Sequence, residues 1–332
     1  MNHPVIPRRR FIGIIAATSL LALSPRAIRQ ASASVIPTPT TWHGIALGAD
    51  AQLQIHHPDP AWAQELIHRA LTETQRLENI FSLYLQDSAL ARLNRQGHLD
   101  DAPGDLLRLL EESQSYSRLT GGAFDPSVQA LWSLYANAIR INGSLPDQDQ
   151  LRQTLQRVDY RAIEIHGRDV RLAIPGMALT LNGIAQGYIT DRVTELLRDA
   201  GLEHALINMG EVRGLNQLHR MRPWRVGLAD DTDHRRPLEV IDIRNRAVST
   251  SAGRATVLDT DGKITHIFNP RSGHAVPRYR SVSVETATAT MADALSTAFS
   301  VMNENEIRRV ARETGSSVWV LKEGADTLTL IH

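Results

Sequence analysis

Leu238-Glu239-Val240-Ile241-Asp242-Ile243-Arg244-Asn245-Arg246-Ala247-Val248-Ser249-Thr250 is the stretch that decides the fold class. Two β-branched apolar runs, 238–243 and 247–250, flank a polar turn too short to hold a helix. A regular βα alternation is therefore broken here. Outward from this segment the pattern persists, with strand candidates at 204–208, 224–228, 255–258, 264–268 and 281–285, each bounded by turn residues. Earlier strands are expected at 43–56, 162–165, 170–174 and 178–181, and closing ones at 318–321 and 327–331. Helical spacing of apolar residues predicts helices over 60–80, 102–119, 146–158, 184–200, 290–302 and 304–314. Asp59 is placed to cap the first, and Gly121-Gly122 to stop the second. Runs of strands with separate helices predict an α+β fold, a largely antiparallel sheet with flanking helices, as one unit over residues 34–332.

The chain has 332 residues, 36 basic and 36 acidic side chains and no cysteine. A net charge of zero leaves no electrostatic footprint for nucleic acid or an anionic membrane. Without cysteine there is no disulfide framework, thiolate metal site or catalytic thiol. An apolar share of 42% is ample for a core and argues against global disorder.

Residues 1–33 read as an address. Arg8-Arg9-Arg10-Phe11-Ile12 opens the apolar run 11–23, no acidic residue precedes Asp50, and Ala31-Ser32-Ala33 fits a small-x-small cleavage site. The run is shorter than the ~20 residues a stable membrane anchor needs. The arginines resemble a twin-arginine signal, the route for folded proteins. The expected mature chain begins near Ser34 and works in a bacterial periplasm.

No phosphate-binding loop, dinucleotide fingerprint, nucleophile elbow or H-E-x-x-H helix is present. Four segments carry chemistry, each beside a plainer reading. In Asp293-Ala294-Leu295-Ser296-Thr297, a carboxylate and a hydroxyl four apart share one helix face and can hold a hard cation through oxygen. The plainer reading has Thr297 bonding back to the carbonyl of residue 293. In Leu181-Asn182-Gly183-Ile184-Ala185-Gln186-Gly187, a strand enters a helix through two glycines, so that backbone N–H groups at the helix start could meet an anion, or the glycines merely allow close packing. Gly121-Gly122-Ala123-Phe124-Asp125-Pro126 is a loop with an aromatic and a carboxylate, or a helix stop and an Asp-Pro turn. Thr265-His266-Ile267-Phe268-Asn269-Pro270 sets a histidine at a strand end, as a general base or an ordinary turn residue.

Together and in this order, these segments resemble the FAD:protein FMN transferase family, the ApbE-like flavin transferases. Tyr84-Leu85-Gln86-Asp87-Ser88-Ala89-Leu90-Ala91-Arg92-Leu93-Asn94, Asn208-Met209-Gly210 and Ser249-Thr250-Ser251-Ala252-Gly253 extend the resemblance over about residues 43–322. It implies an FAD cleft between two lobes, with FAD as substrate and Mg²⁺ as cofactor. The pyrophosphate is cleaved, FMN passes to a threonine or serine hydroxyl of an acceptor protein, and AMP leaves. It further implies Asp293, Thr297 and the Gly183 carbonyl as Mg²⁺ ligands. Tyr84, Ala123, Phe124, Asp125 and Gln186 would contact FAD, and His266 would be the base.

Departures accompany the resemblance. Gln186 stands where the family usually has a cation, Thr180 and Asn269 where it has aspartates, and Gly210-Glu211 where many members have Gly-Gly. The wording N-G-I-A-Q-G-Y with M-G-E is similar to the NosX branch. That implies the membrane-bound flavoprotein NosR as acceptor, with the membrane met only through it, while the Arg8-Arg9-Arg10 motif implies the twin-arginine machinery as export partner. The substitutions keep two rivals open: an FAD-holding carrier without transfer, and an FAD pyrophosphatase releasing FMN to water.

Overall fold

The computed structural model describes residues 38–218, 222–229, 237–259, 264–275 and 277–331. The leader expected over 1–33 lies outside them. Among the described residues no helix is long and apolar enough to cross a membrane.

The chain opens with β1 (Thr40–Ala46), β2 (Ala49–Ile55), α1 (Pro60–Phe81), α2 (Ala89–Gln96) and β3 (His98–Leu99). It continues through α3 (Gly104–Leu119), α4 (Gln129–Asn142), α5 (Gln148–Leu155), β4 (Ile163–His166) and β5 (Asp169–Leu172). The helix α6 (Ala185–Asp199) leads into β6 (Ala205–Asn208), β7 (Val212–Leu215), β8 (Trp224–Ala229), β9 (Pro237–Ile243) and β10 (Ala247–Ala252). After β11 (Ser281–Thr286) come α7 (Ala289–Phe299), α8 (Glu304–Thr314), β12 (Ser317–Leu321) and β13 (Thr329–Ile331).

Eight strands form one sheet in the order β1-β2-β6-β7-β10-β11-β12-β13, every neighbouring pair antiparallel. The expected α+β class with a large antiparallel sheet is observed. Side-chain alternation then sorts the two faces. Leu53, Ile55, Ile207, Val282, Val284, Val318 and Val320 join the main core with the helices. Their neighbours Leu206, Val212, Val248 and Trp319 face away and pack with Val226, Leu228, Ile241 and Ile243 of the β8–β9 ribbon. The two runs of the deciding segment thus part company: β9 pairs with β8 and β10 enters the main sheet, with Asn245 at φ 50° between them.

Several expectations are corrected. Residues 43–56 are not one strand but the β1–β2 hairpin, turned by Leu47 and Gly48 at φ 45° and 77°. Leucine rarely supplies that conformation, so no turn signal stands there. Residues 178–181 form no strand, because the Leu179 N–H and C=O are both taken by the Asn94 side chain, at 2.7 and 2.8 Å. Segments 255–258 and 264–268 meet only at a bridge, Val257 to Thr265. The helix α4 is unforeseen: Val128 gives it no side-chain cap, so its start is silent despite apolar spacing at Leu131, Leu134, Tyr135 and Ala138. The short α2 is likewise unforeseen, although Ser88 caps it through the Ala91 N–H at 3.0 Å.

Candidate active site

The cleft opens where two apolar clusters meet. Ala123 and Phe124 belong to the main core, while Val128, Trp132 and Phe268 belong to a smaller cluster built around α4 and α5. All five line the cleft, together with Asp125, Thr180, Asn182, Gly183, Glu211, Thr250, Ser251, His266, Asp293 and Thr297. Six separated segments of sequence, 123–132, 180–183, 211, 250–251, 266–268 and 293–297, thus converge on one concavity.

Its floor is the junction of α6 with α7. Gly187 sits where the two backbones touch: a Cβ there would lie 2.2 Å from the Ala289 carbonyl oxygen. The Gly187 N–H donates to Asp293 Oδ2 at 3.0 Å. Gly183 lies against Thr297, and a Cβ on it would stand 2.7 Å from the threonine Oγ1. The glycines therefore do pack closely. Several amides of the bend serve the protein itself. The Ile184 and Ala185 N–H groups both donate to the Leu181 carbonyl, at 3.0 and 2.8 Å, and that of Gly187 serves Asp293. Those three amides are already committed.

A row of hydroxyls from β10 reaches α7. Ser249 and Ser251, two apart on one face of the strand, meet Ser296 Oγ at 3.1 and 2.7 Å. Ser296 Oγ donates to the Asp293 carbonyl at 3.0 Å, and Ser251 Oγ lies 3.4 Å from Thr297 Oγ1. The hydroxyl that bonds back to residue 293 is thus that of Ser296, which leaves Thr297 facing the cleft lining.

Glu211, which the sequence marks only as a departure from Gly-Gly, is a buried acid of this cleft. It accepts from the Ser249 hydroxyl and the Thr250 N–H. Burial pushes its carboxyl well above the ordinary glutamate value, and the charge of nearby Asp293 pushes it the same way. Two buried carboxylates, a threonine hydroxyl and a glycine backbone form an all-oxygen donor set, the chemistry that suits Mg²⁺. Among the described residues no three His, Asp or Glu side chains gather into a full cage. Mg²⁺ needs none, since it keeps several waters and substrate oxygens. The residues fit that ion.

His266 lines the same cleft, with Nδ1 3.1 Å from the Thr256 carbonyl oxygen. A carbonyl only accepts, so Nδ1 is the donor in this contact, which fixes the orientation of the ring at the cleft. Asp125 is buried, and its carboxylate is spent on the loop. Oδ1 accepts from the Ser127 N–H and Oγ at 2.8 and 2.6 Å, and Oδ2 from the Tyr160 N–H at 3.0 Å. Burial raises its pKa, against the pull of those donors. Gln186 is buried beside Gly210, and neither amide atom of its side chain has a protein partner. It does not line the cleft itself. Tyr84 stands 62% exposed on the α1–α2 loop and is not among the lining residues. Thr180 lines the cleft and accepts from the Asn182 N–H at 3.2 Å. Asn269 organises its turn through the Arg271 N–H at 2.9 Å.

The site is thus an oxygen-rich cleft with a histidine in its lining, set on an antiparallel α+β frame. The sequence profile of the ApbE family matches residues 47–320, and the chain belongs to that family. It is 29% identical over 299 residues to the FAD:protein FMN transferase of Treponema pallidum, covering 81% of this chain and 80% of that protein. With the Escherichia coli K12 enzyme of the same name it shares 25% identity over 301 residues, covering 87% and 85%. In fold it is similar to the Thermotoga maritima ApbE protein, with TM-score 0.77, 24% identity, and 88% and 96% of the chains covered. The apo flavinyl transferase ApbE of Pseudomonas stutzeri gives TM-score 0.76, 20% identity, and 90% and 95% coverage.

Proposed function

We propose that this enzyme transfers FMN from FAD to a threonine or serine hydroxyl of an acceptor protein and releases AMP, with Mg²⁺ held by Asp293, Thr297 and the Gly183 carbonyl. The carrying observation is the buried Asp293 carboxylate, fixed by Gly187, in one cleft with Thr297 and His266. When bound, Mg²⁺ supplies positive charge to the pyrophosphate.

The remaining work falls to the chain. A threonine hydroxyl is a poor nucleophile near neutral pH, so its proton needs a base within hydrogen-bond reach. His266, oriented in the cleft by the contact of its Nδ1 with Thr256, is the residue assigned to that task. Ala123 and Phe124 give the cleft apolar wall for a flavin ring, and Asp125 holds their loop in place. Glu211 adds a second carboxylate beside Asp293, which raises the demand for a cation there.

The acceptor is a periplasm-facing protein, and NosR is the candidate. The leader with Arg8-Arg9-Arg10, the cleavage pattern at 31–33 and the NosX-like wording support this reading. The test mixes protein, FAD, Mg²⁺ and a threonine-bearing NosR domain and weighs the products. The acceptor gains the mass of FMN, and a chelator stops the gain. FMN released without acceptor would identify a hydrolase, and FAD held unchanged would identify a carrier; either result overturns the proposal.

A further inference from the structure

The amino end of α7 is capped from outside its own chain segment. The N–H groups of Ala289, Thr290 and Met291 have no partner within the helix and need one from elsewhere, whereas Ala292 makes the first helical bond. The Thr288 carbonyl takes Ala292 at 3.1 Å, and Thr288 Oγ1 takes Met291 at 3.3 Å. The other two go to Asp191, one turn beyond Gly187 on α6. Asp191 Oδ1 accepts from the Ala289 N–H and Oδ2 from the Thr290 N–H, both at 2.9 Å. Oδ2 also accepts from Thr290 Oγ1 at 2.6 Å, while buried Arg213 on β7 pairs with Oδ1. Thr190, the residue before, donates its hydroxyl to the Glu211 carbonyl at 3.1 Å.

Asp293 follows Ala289 by one turn, about 6 Å along the axis, and Thr297 by two. Whatever fixes the amino end of α7 therefore fixes the height and rotation of both. We propose that Asp191 is a positioning residue of the cation site: it clamps α7 to α6 so that Asp293 and Thr297 face Gly183. This rests on the reading of Asp293 and Thr297 as cation ligands. A carboxylate is the fitting clamp, since it accepts several N–H bonds at once while Arg213 offsets its charge in the interior.

The test counts Mn²⁺ bound by the full chain, without FAD, by electron paramagnetic resonance well below each variant's melting temperature. Asp191→Asn keeps the shape but turns donors toward donors, and is expected to weaken Mn²⁺ binding about tenfold, the usual cost of losing a partner behind a metal ligand. Thr290→Val removes one hydroxyl and is expected to weaken it about threefold, while Thr290→Ser restores it. Should Asp191→Asn fail to fold, the Thr290 pair decides. Variants that melt earlier yet bind Mn²⁺ as the parent does would make Asp191 a stabilising cap only and overturn the proposal. Asp293→Asn is the control: if it too binds like the parent, the ligand reading itself falls. A parent chain that binds no Mn²⁺ sinks both.

Discussion

Gly187 donates its backbone N–H to the Asp293 carboxylate across 3.0 Å, and its missing side chain is what lets the two helices come that close. Gly183, four residues earlier, meets Thr297 in the same junction. The two glycines make separable demands. At Gly187 an added methyl meets backbone, which cannot swing away, so Gly187→Ala is expected to cost about 3 kcal/mol, measured by urea unfolding.

At Gly183 the methyl meets a threonine side chain instead. Gly183→Ala is expected to cost under about 1 kcal/mol of stability but about tenfold in Mg²⁺ affinity, read by calorimetric titration. Equal losses in both properties at both positions would refute the separation.

Asp293→Ala and His266→Ala are expected to fail differently. The first loses Mg²⁺ binding and FMN transfer together. The second keeps Mg²⁺ and FAD and slows transfer by about 100-fold to 10,000-fold, the usual scale for a lost general base. Single-turnover transfer to a threonine peptide, alongside FAD binding by fluorescence, distinguishes them.

Glu211 is an acid that burial and Asp293 both push toward its neutral form. Glu211→Gln is expected to stabilise the metal-free protein by about 1 kcal/mol, or about 2 °C in Tm. The rise in Tm on adding Mg²⁺ is expected to shrink. A thermal melt with and without Mg²⁺ checks both signs.

Asp105 ties three helices together. It accepts from Tyr188 Oη and Arg76 Nη2, each at 2.7 Å, with Arg192 nearby. Burial pushes its pKa up, but the Tyr188 and Arg76 hydrogen bonds and the two arginine charges outweigh it, and the net shift is downward. A lowered pKa contributes stability above the unfolded value, near about 3.9, that is lost as pH falls through the folded one. The stability gap between the parent and Asp105→Asn should therefore be full at pH 6 and close as the pH drops below about 4. A gap that stays constant down to pH 3 would contradict this.

The sheet and most helices are legible because their signals are local: apolar residues bounded by turns in β6, β11 and β12, apolar spacing and Asp59 in α1, the Gly121-Gly122 stop after α3. The β1–β2 turn was not, since Leu47 adopts a conformation no residue preference would assign to it. Strand candidates 178–181 and 255–258 misled because their backbone groups are satisfied by side chains and lone bridges, which apolar content cannot reveal. At the site, the Asp293–Thr297 pair was visible as helical spacing. Glu211 carries no signal in the sequence beyond its departure from Gly-Gly, and the serine row is scattered along the chain. Ser249, Ser251 and Ser296 become neighbours only once β10 packs on α7, and a buried acid announces itself only beside another.

The committed amides of the glycine bend carry one more consequence. A fixed cradle of N–H groups would keep hold of AMP after the reaction as firmly as it held FAD before it. A dissolved ion can depart with the leaving nucleotide. On the proposed reading, an enzyme that grips through borrowed charge is built to let go, and its turnover would follow the mineral content of its surroundings.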